Sequence, residues 1–317
     1  MGTARRVPQR HDVGGEELSA DEAWTALRRY GGWSLARDSF VRFRYADGFS
    51  HARALALQTV LSIVPLAIAA IGLSGVLHTE EAGRVAELTI RGLTSGPGQA
   101  VVDDALRESR RHAGDGGQAA LWLGLLFSLA NVTTALCQVE RGANRIYGNE
   151  RDRPFLAKYS RGLVMAALAG LPLGLSFILT VLGTHLTHAL AEVYRLSPDT
   201  VRAWELLRWP LGILLAVLAT SAIFRLSPRR RQPGYTWLAF GAVVHLVLWN
   251  LATWALSLYI GESSSFTSVY GPLSAIVSLL LWSYLTSMAL FLGLSFAAQL
   301  EAVRAGVREP VMNDPGV

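Results

Sequence analysis

Charged side chains are scarce in this chain: Asp, Glu, Lys and Arg make up 17% of its 317 residues, where a soluble domain averages about 25%. With 51% hydrophobic residues and a mean hydropathy of +0.32, that scarcity counts against a soluble enzyme and favours a chain dissolved largely in lipid. The same apolar fraction excludes disorder. Cysteine is nearly missing too. Cys137 stands alone, which excludes a disulfide framework and any multi-cysteine metal site. There is no glycine-rich phosphate loop, His-Glu-x-x-His zinc motif, Gly-x-Ser-x-Gly elbow or Cys-x-x-Cys pair. The seven histidines are scattered at 11, 51, 78, 112, 185, 188 and 245. Metal-dependent RNA hydrolysis needs clustered ligands to activate water, so composition and motifs predict neither catalytic residues, nor a cofactor, nor a metal.

Six stretches hold no Asp, Glu, Lys or Arg: Ala54 to His78, Gly116 to Val139, Gly162 to Ala191, Trp209 to Phe224, Gln232 to Gly261 and Ser263 to Leu300. A lipid-spanning helix needs about 20 apolar residues. Five stretches reach that length outright. The fourth is extended by Leu206 and Leu207 if Arg208 snorkels to the surface. The fold predicted is all-α and polytopic, with six spans at about 54–77, 118–139, 162–188, 206–225, 234–259 and 271–298. Residues 1–50 form an N-terminal segment, 51–302 the membrane domain and 303–317 a tail. The first apolar run begins only at Ala54, so it is expected to remain as a span rather than act as a cleaved signal.

Lys and Arg set the orientation. Nine precede helix 1, six lie between Glu140 and Arg161, four between Arg225 and Arg231, and two in the tail. The opposite side carries five between His78 and Gly116 and three before helix 4. Both termini are therefore expected on the cytoplasmic side of a plasma membrane. The net charge of +5 faces anionic lipid head groups in this reading, not nucleic acid, which would need one continuous basic surface.

Outside the bilayer, Ser19 followed by Glu22 fits a capping box opening a helix through Trp24, Leu27 and Tyr30. Trp33, Ala36, Phe40 and Phe43 then recur at helical spacing. These amphipathic helices either lie on the lipid surface or pack on the ends of the bundle. The loop from 79 to 114 reads as an amphipathic hairpin that rests on the outer surface or caps a cavity. Trp237 and Tyr259 are expected at the two interfaces of helix 5, with Trp209 and Tyr270 at the outer one.

Few residues promise chemistry. His185 and His188 share a face, but two ligands are too few for zinc, and hydrogen bonding at the interface is the alternative. Neutral polar residues lie deeper: Gln58, Thr59 and Ser62, then Ser128 to Gln138, then Asn250 and Thr253. They either join helices or line a passage. Pro-Leu-small triplets at Pro65, Pro172, Pro210 and Pro272 fit an inverted three-plus-three repeat of the transporter kind. Gly170-x-x-x-Gly174 and Gly124-x-x-x-Ser128 allow close helix packing. The sequence does not give an oligomeric state.

Several motifs in order resemble one family. The run Ala56-Leu57-Gln58-Thr59-Val60-Leu61-Ser62-Ile63-Val64-Pro65-Leu66 is similar to the first-helix signature of the YihY/BrkB family of bacterial inner-membrane proteins. Asn144-Arg145-Ile146-Tyr147-Gly148, Arg153-Pro154-Phe155, the Pro228 loop leading to Gly241-Ala242, then Tyr259, Tyr270-Gly271-Pro272-Leu273 and Leu281-Trp282-Ser283-Tyr284 complete it over roughly residues 35 to 302. Where the family commonly has Gly-Ala-Glu, this chain has Gly293-Leu294-Ser295, with Gln299 and Glu301 one to two turns later. The resemblance implies a plasma-membrane protein linked to envelope integrity. Some members once carried the label ribonuclease BN, a transfer-RNA-processing activity that this sequence does not support.

Two functions follow as expectations. In the first, the bundle moves or flips an amphipathic envelope molecule, a lipid or lipid-linked glycan, along a path including Ser62, Pro65, Asn131, Gln138, Tyr259, Tyr270 and Trp282. In the second, the protein is a scaffold for envelope components and moves nothing. The partners expected are membrane lipids and a lipid-like substrate.

Overall fold

The structure, a computed structural model, describes residues 3–9, 19–76, 115–262 and 273–312. The expected hairpin over 79–114, together with Tyr270 and Pro272, lies outside them. Helices dominate: α1 (Ala20–Tyr30), α2 (Gly32–Tyr45), α3 (Gly48–Val76), α4 (Asp115–Ile146), α5 (Phe155–Met165), α6 (Leu171–Phe177), α7 (Gly183–Tyr194), α8 (Pro198–Leu226), α9 (Tyr235–Glu262) and α10 (Ser274–Arg304). π-helical segments Ala166–Gly170 and Ile178–Leu182 join α5 to α6 and α6 to α7. A two-residue antiparallel ladder pairs β1 (Thr3–Ala4) with β2 (Val311–Met312).

Among the described residues, five stretches are long and apolar enough to cross a membrane: Leu121–Ile146, Phe155–Thr180, Pro198–Leu226, Tyr235–Ile260 and Ile276–Arg304. Each outruns the hydrocarbon layer of about 30 Å at about 1.5 Å per residue. Their outward faces expose large apolar side chains, among them Trp122, Leu126, Phe127, Leu206, Leu207 and Trp254, an arrangement suited to lipid and not to water. The chain is an all-α polytopic membrane protein. α3, 29 residues long with Pro65 inside it, carries the first charge-free stretch.

α1 begins as expected. The Ser19 hydroxyl accepts from the Glu22 amide and the Glu22 carboxylate from the Ser19 amide, both at 3.4 Å. Asp21 and Glu22 in the first turn and Arg28 and Arg29 in the last complement the helix dipole. α2 buries Leu35, Ser39, Arg42 and Phe43 along one face and leaves Trp33 and Phe40 exposed on the other.

The residues pack as two units. The first comprises Met1–Val60, Val132–Ala169 and Val217–Val317; the second comprises Leu61–Asn131 and Gly170–Ala216. Within the first, Leu35, Phe43, Ile146, Met165, Phe224, Leu238, Phe291, Leu294 and Leu300 form the core. Phe43 meets Phe49 edge to face at 4.9 Å. Trp237 belongs to this core and is fully buried, so it faces protein and not a lipid interface as expected. α9 and α10 approach closely at Gly241 and Gly293: a Cβ on either would lie 2.6 Å from the other's carbonyl oxygen.

Along the chain, Pro172 sits at the start of α6 between the two π-segments. Proline offers no N–H to the carbonyl four residues earlier, here that of Leu168 in the first π-segment, and the wider turn absorbs the mismatch. Ser176 donates to the Gly212 carbonyl at 2.7 Å, joining α6 to α8. Gly170 and Gly174 have no atom within 4 Å of a would-be Cβ, so no helix among the described residues uses that pair for close packing.

Candidate functional site

Charged residues that read as ordinary loop charges prove to be buried in the first unit. Glu140 ends the apolar part of α4 and is completely buried. Its carboxylate pairs with the Arg153 guanidinium at 2.8 Å. Arg153 also donates to the carbonyls of Ser227 and Pro228, both at 2.9 Å, so one side chain fastens the α4 end to the turn after α8. Asn144, one turn on from Glu140, is equally buried. It donates to Asp152 at 2.9 Å and accepts from the Arg229 amide at 2.7 Å. Gly148 closes the segment at φ +73, where a Cβ would lie 2.6 Å from Arg6 Cα. The Asn144-to-Gly148 motif is thus a packing hub.

A second layer surrounds Tyr147. The Arg230 guanidinium lies 4.6 Å over the Tyr147 ring and pairs with Glu301, both side chains at most 5% exposed. Arg42, wholly buried, donates to Gln299 at 2.8 Å, to the Arg5 carbonyl at 2.8 Å and to the Ile146 carbonyl at 3.0 Å. Gln299 in turn donates to the Arg308 carbonyl at 2.8 Å. Burial lowers the Arg42 pKa and raises that of Tyr147. Around this layer, buried nitrogens and oxygens of Arg42, Tyr147, Arg230, Gln232 and Glu301 keep capacity beyond their protein bonds. Mixed donors and acceptors of this kind suit ordered water.

Asp152 gives a pH test. Burial alone would raise its carboxyl, but hydrogen bonds from Asn144 and Lys158 and the nearby Lys158 and Arg141 charges outweigh it and hold the pKa below the usual value. A depressed folded pKa contributes stability that is present above the unfolded value of about 3.9 and lost as pH falls through the folded one. Asp152→Asn should therefore melt below wild type at neutral pH, and the difference should close as the pH falls below the unfolded value and through the depressed folded one. A difference constant from neutral to strongly acidic pH would rule out the electrostatic account.

The second unit holds a different arrangement. Arg208 was expected to snorkel; instead it is 5% exposed and turns towards α7. Its Nη1 donates to the Leu179 carbonyl at 3.1 Å and its Nη2 to the Thr184 hydroxyl at 2.7 Å. The physical reason for the change is that two acceptors lie within reach, the Leu179 carbonyl in the second π-segment and the Thr184 hydroxyl on α7. Gly183 makes the approach possible, since a Cβ there would lie 2.7 Å from Nη1.

The described residues singled out for a cargo path fall in both units, Ser62, Pro65 and Asn131 in the second and Gln138, Tyr259 and Trp282 in the first. Ser62 and Pro65 are half-buried on α3. Asn131 returns its side-chain N–H to its own helix at the Phe127 carbonyl, 2.9 Å. Gln138 meets His51 Nδ1 at 3.0 Å. The Trp282 indole donates to Thr253 at 3.3 Å, and Tyr259 is exposed. Tyr270 is outside the described residues. Sequence reading gave no role in a site to Arg42 or Glu140, took Arg208 only as a snorkelling residue, and noted Glu301 only as a carboxylate beyond the place where the family commonly has Gly-Ala-Glu. The only signal for them was indirect: Glu140 and Glu301 flank stretches that carry motifs, and Arg208 interrupts an apolar run. His185 and His188 gather no further ligand; among the described residues no group of three His, Cys, Asp or Glu is placed to hold a metal.

Residues 39–315 match the family described as virulence factor BrkB. The chain is 20% identical over 262 residues to a ribonuclease-like protein, YfkH, of Bacillus subtilis, covering 82% of this chain and 92% of that one. It is 26% identical to the UPF0761 membrane protein Smlt0865 of Stenotrophomonas maltophilia, covering 91% of this chain and 66% of that one. A UPF0761 membrane protein of Xanthomonas axonopodis, XAC0937, is also 26% identical, with 84% and 62% covered. The chain therefore spans less than two thirds of the length of these UPF0761 relatives. No solved structure matches it. Its own five apolar helices make it a multi-pass membrane protein, consistent with a bacterial inner membrane.

Proposed function

This chain belongs to the virulence factor BrkB family, and from that membership we propose that it crosses the inner membrane six times, both termini cytoplasmic, and moves an amphipathic envelope molecule across it. α3 supplies the sixth span. We read it as no enzyme: the composition and motifs give no catalytic residues, and the ribonuclease-like name belongs to a relative only 20% identical. The observation that carries the transport reading is the pair of π-segments around Pro172. π-turns are rare in helices and frequent at functional sites, and their hydrogen bonding is easily rearranged. A helix held only for anchorage has no use for two. Ser62, Pro65 and Asn131 are the polar and kinked positions we assign to the path in this unit, and Gln138, Tyr259, Tyr270 and Trp282 are the further path residues.

The test is translocation of fluorescent phosphatidylglycerol and phosphatidylcholine in vesicles holding the purified chain. Deleting one residue from each π-segment, the exposed Leu168 and Ile178, lets both revert to α-helix. Wild type should move at least one labelled lipid faster than protein-free vesicles, and the double deletion should slow it about tenfold, roughly 1.4 kcal/mol of barrier, while remaining monodisperse. Equal rates for the two proteins would remove the π-segments from the mechanism. A wild type no faster than empty vesicles would instead support the scaffold reading.

A further inference from the structure

We propose that Arg208 is a binding subsite for the phosphate of an anionic lipid head group. The proposal deepens the transport reading and rests on it for the identity of the cargo. Arg208 lies in the interior of α8, within the candidate span Pro198–Leu226. Guanidinium carries five N–H donors, accepts nothing and stays charged. Two donors are met, and both partners, the Leu179 carbonyl and the Thr184 hydroxyl, are neutral. Nε is buried without a partner. No carboxylate among the described residues pairs with this cation.

That sets Arg208 apart from the first unit, where even Arg42, bonded only to neutral groups, has the Glu301 carboxylate nearby. Arg153, Lys158 and Arg230 each have a carboxylate at hand. A buried charge left without a counter-ion is costly and marks function in membrane segments. The chemistry that the described residues do not supply is a negative group that accepts hydrogen bonds and offers no donor of its own. A phosphodiester meets that description, and guanidinium is shaped to hold it.

The surroundings choose the source. Leu206, Leu207, Trp209 and Leu211 next to Arg208 on α8 are exposed, and the guanidinium lies 5.2 Å from the Trp209 ring centre. Apolar side chains flanking a cation provide a place for acyl chains beside the head group. A free phosphate would gain nothing from them. The π-segment that offers the Leu179 carbonyl also links the subsite to the helix assigned to movement: a change of turn there alters what Arg208 is bonded to.

Native mass spectrometry of the full chain, released from nanodiscs, reads this directly. Nanodiscs of phosphatidylglycerol with diacylglycerol should yield one retained phosphatidylglycerol per chain, favoured about tenfold or more over diacylglycerol. Arg208→Gln should abolish the preference, and Arg208→Lys should keep part of it. Inorganic phosphate at millimolar concentration should fail to displace the lipid. Full displacement by phosphate would overturn the lipid assignment in favour of a free-anion site. Retention unchanged in a folded Arg208→Gln would show that Arg208 only braces the π-turn and overturn the proposal. If Arg208→Gln does not fold, wild type alone decides, because no preference for phosphatidylglycerol over diacylglycerol also overturns it. Specific retention without translocation would leave the subsite standing and remove the transport reading.

Discussion

Arg230→Met should cost about 3–5 kcal/mol of stability and leave little folded protein after extraction, because it strands the Glu301 carboxylate in a buried site. Glu301 is paired with Arg230 and both side chains are out of solvent. Arg42 lies nearby but spends Nε and Nη1 on Gln299 and two carbonyls, and Arg304 is held by Glu22, so among the described residues only the unpartnered Arg42 Nη2 is left to offset the loss in part. The size of the effect comes from the orphaned charge and not from the strength of the pair. Coulomb attraction in a buried pair is largely offset by the loss of hydration, so replacing both partners with apolar residues is often neutral. The double variant Arg230→Met/Glu301→Met should accordingly recover most of the loss. Melting in detergent, with the monodisperse fraction as a second readout, checks both. A single variant as stable as wild type, or a double variant no better than the single, would sink this account. Salt should matter little, since screening acts weakly on buried charges.

Why these charges escaped sequence reading is a matter of distance along the chain. The capping box of α1 is legible because Ser19 and Glu22 are three residues apart and local geometry does the rest. The membrane helices are legible because burial in lipid needs an unbroken apolar run, and such runs can be counted. Arg42 and Gln299 are 257 residues apart, and Arg230 and Glu301 are 71 apart. No periodicity reports such a meeting. A charge at a helix end looks the same whether solvent or another helix receives it. Arg208 misled for a related reason. Snorkelling is the default for arginine near a span end, but the Leu179 carbonyl in the wide turn at Ile178–Leu182 and the Thr184 hydroxyl just after it offer closer partners. That turn cannot be read from the residues Ile-Leu-Thr-Val-Leu themselves. The family motifs did mark the right places, since Asn144 to Gly148 and Arg153 prove to be the fasteners of the first unit, but they gave positions without contacts.

Glycine shows the same divide and yields the sharpest steric test. Spacing draws attention to Gly170 and Gly174, yet close approach is found at Gly241 and Gly293. At Gly241 an added Cβ would meet the Gly293 carbonyl oxygen at 2.6 Å and Ala297 Cβ at 2.8 Å. The obstacle at Gly293 is the Gly241 carbonyl oxygen at 2.6 Å together with His245 Cβ at 2.8 Å and its amide nitrogen at 3.0 Å. Backbone cannot rotate aside as a side chain can, so α9 and α10 must separate. Overpacking of this kind costs about 1–3 kcal/mol for a single methyl and more for a branched side chain. Gly241→Ala should thus lower the melting temperature clearly, and Gly241→Val should prevent α9 and α10 from seating. Gly170→Ala and Gly174→Ala should do the opposite. With open space around them, the helix preference of alanine over glycine, up to about 1 kcal/mol, is the only term left, and the variants should match or exceed wild type. Melting curves of the four single variants in one detergent decide it. Tolerance at Gly241 would contradict the close crossing. A large loss at Gly170 or Gly174 would mean that this face is covered in the membrane by something other than the described residues of the same chain, and cross-linking between copies would then show whether that cover is a second protomer.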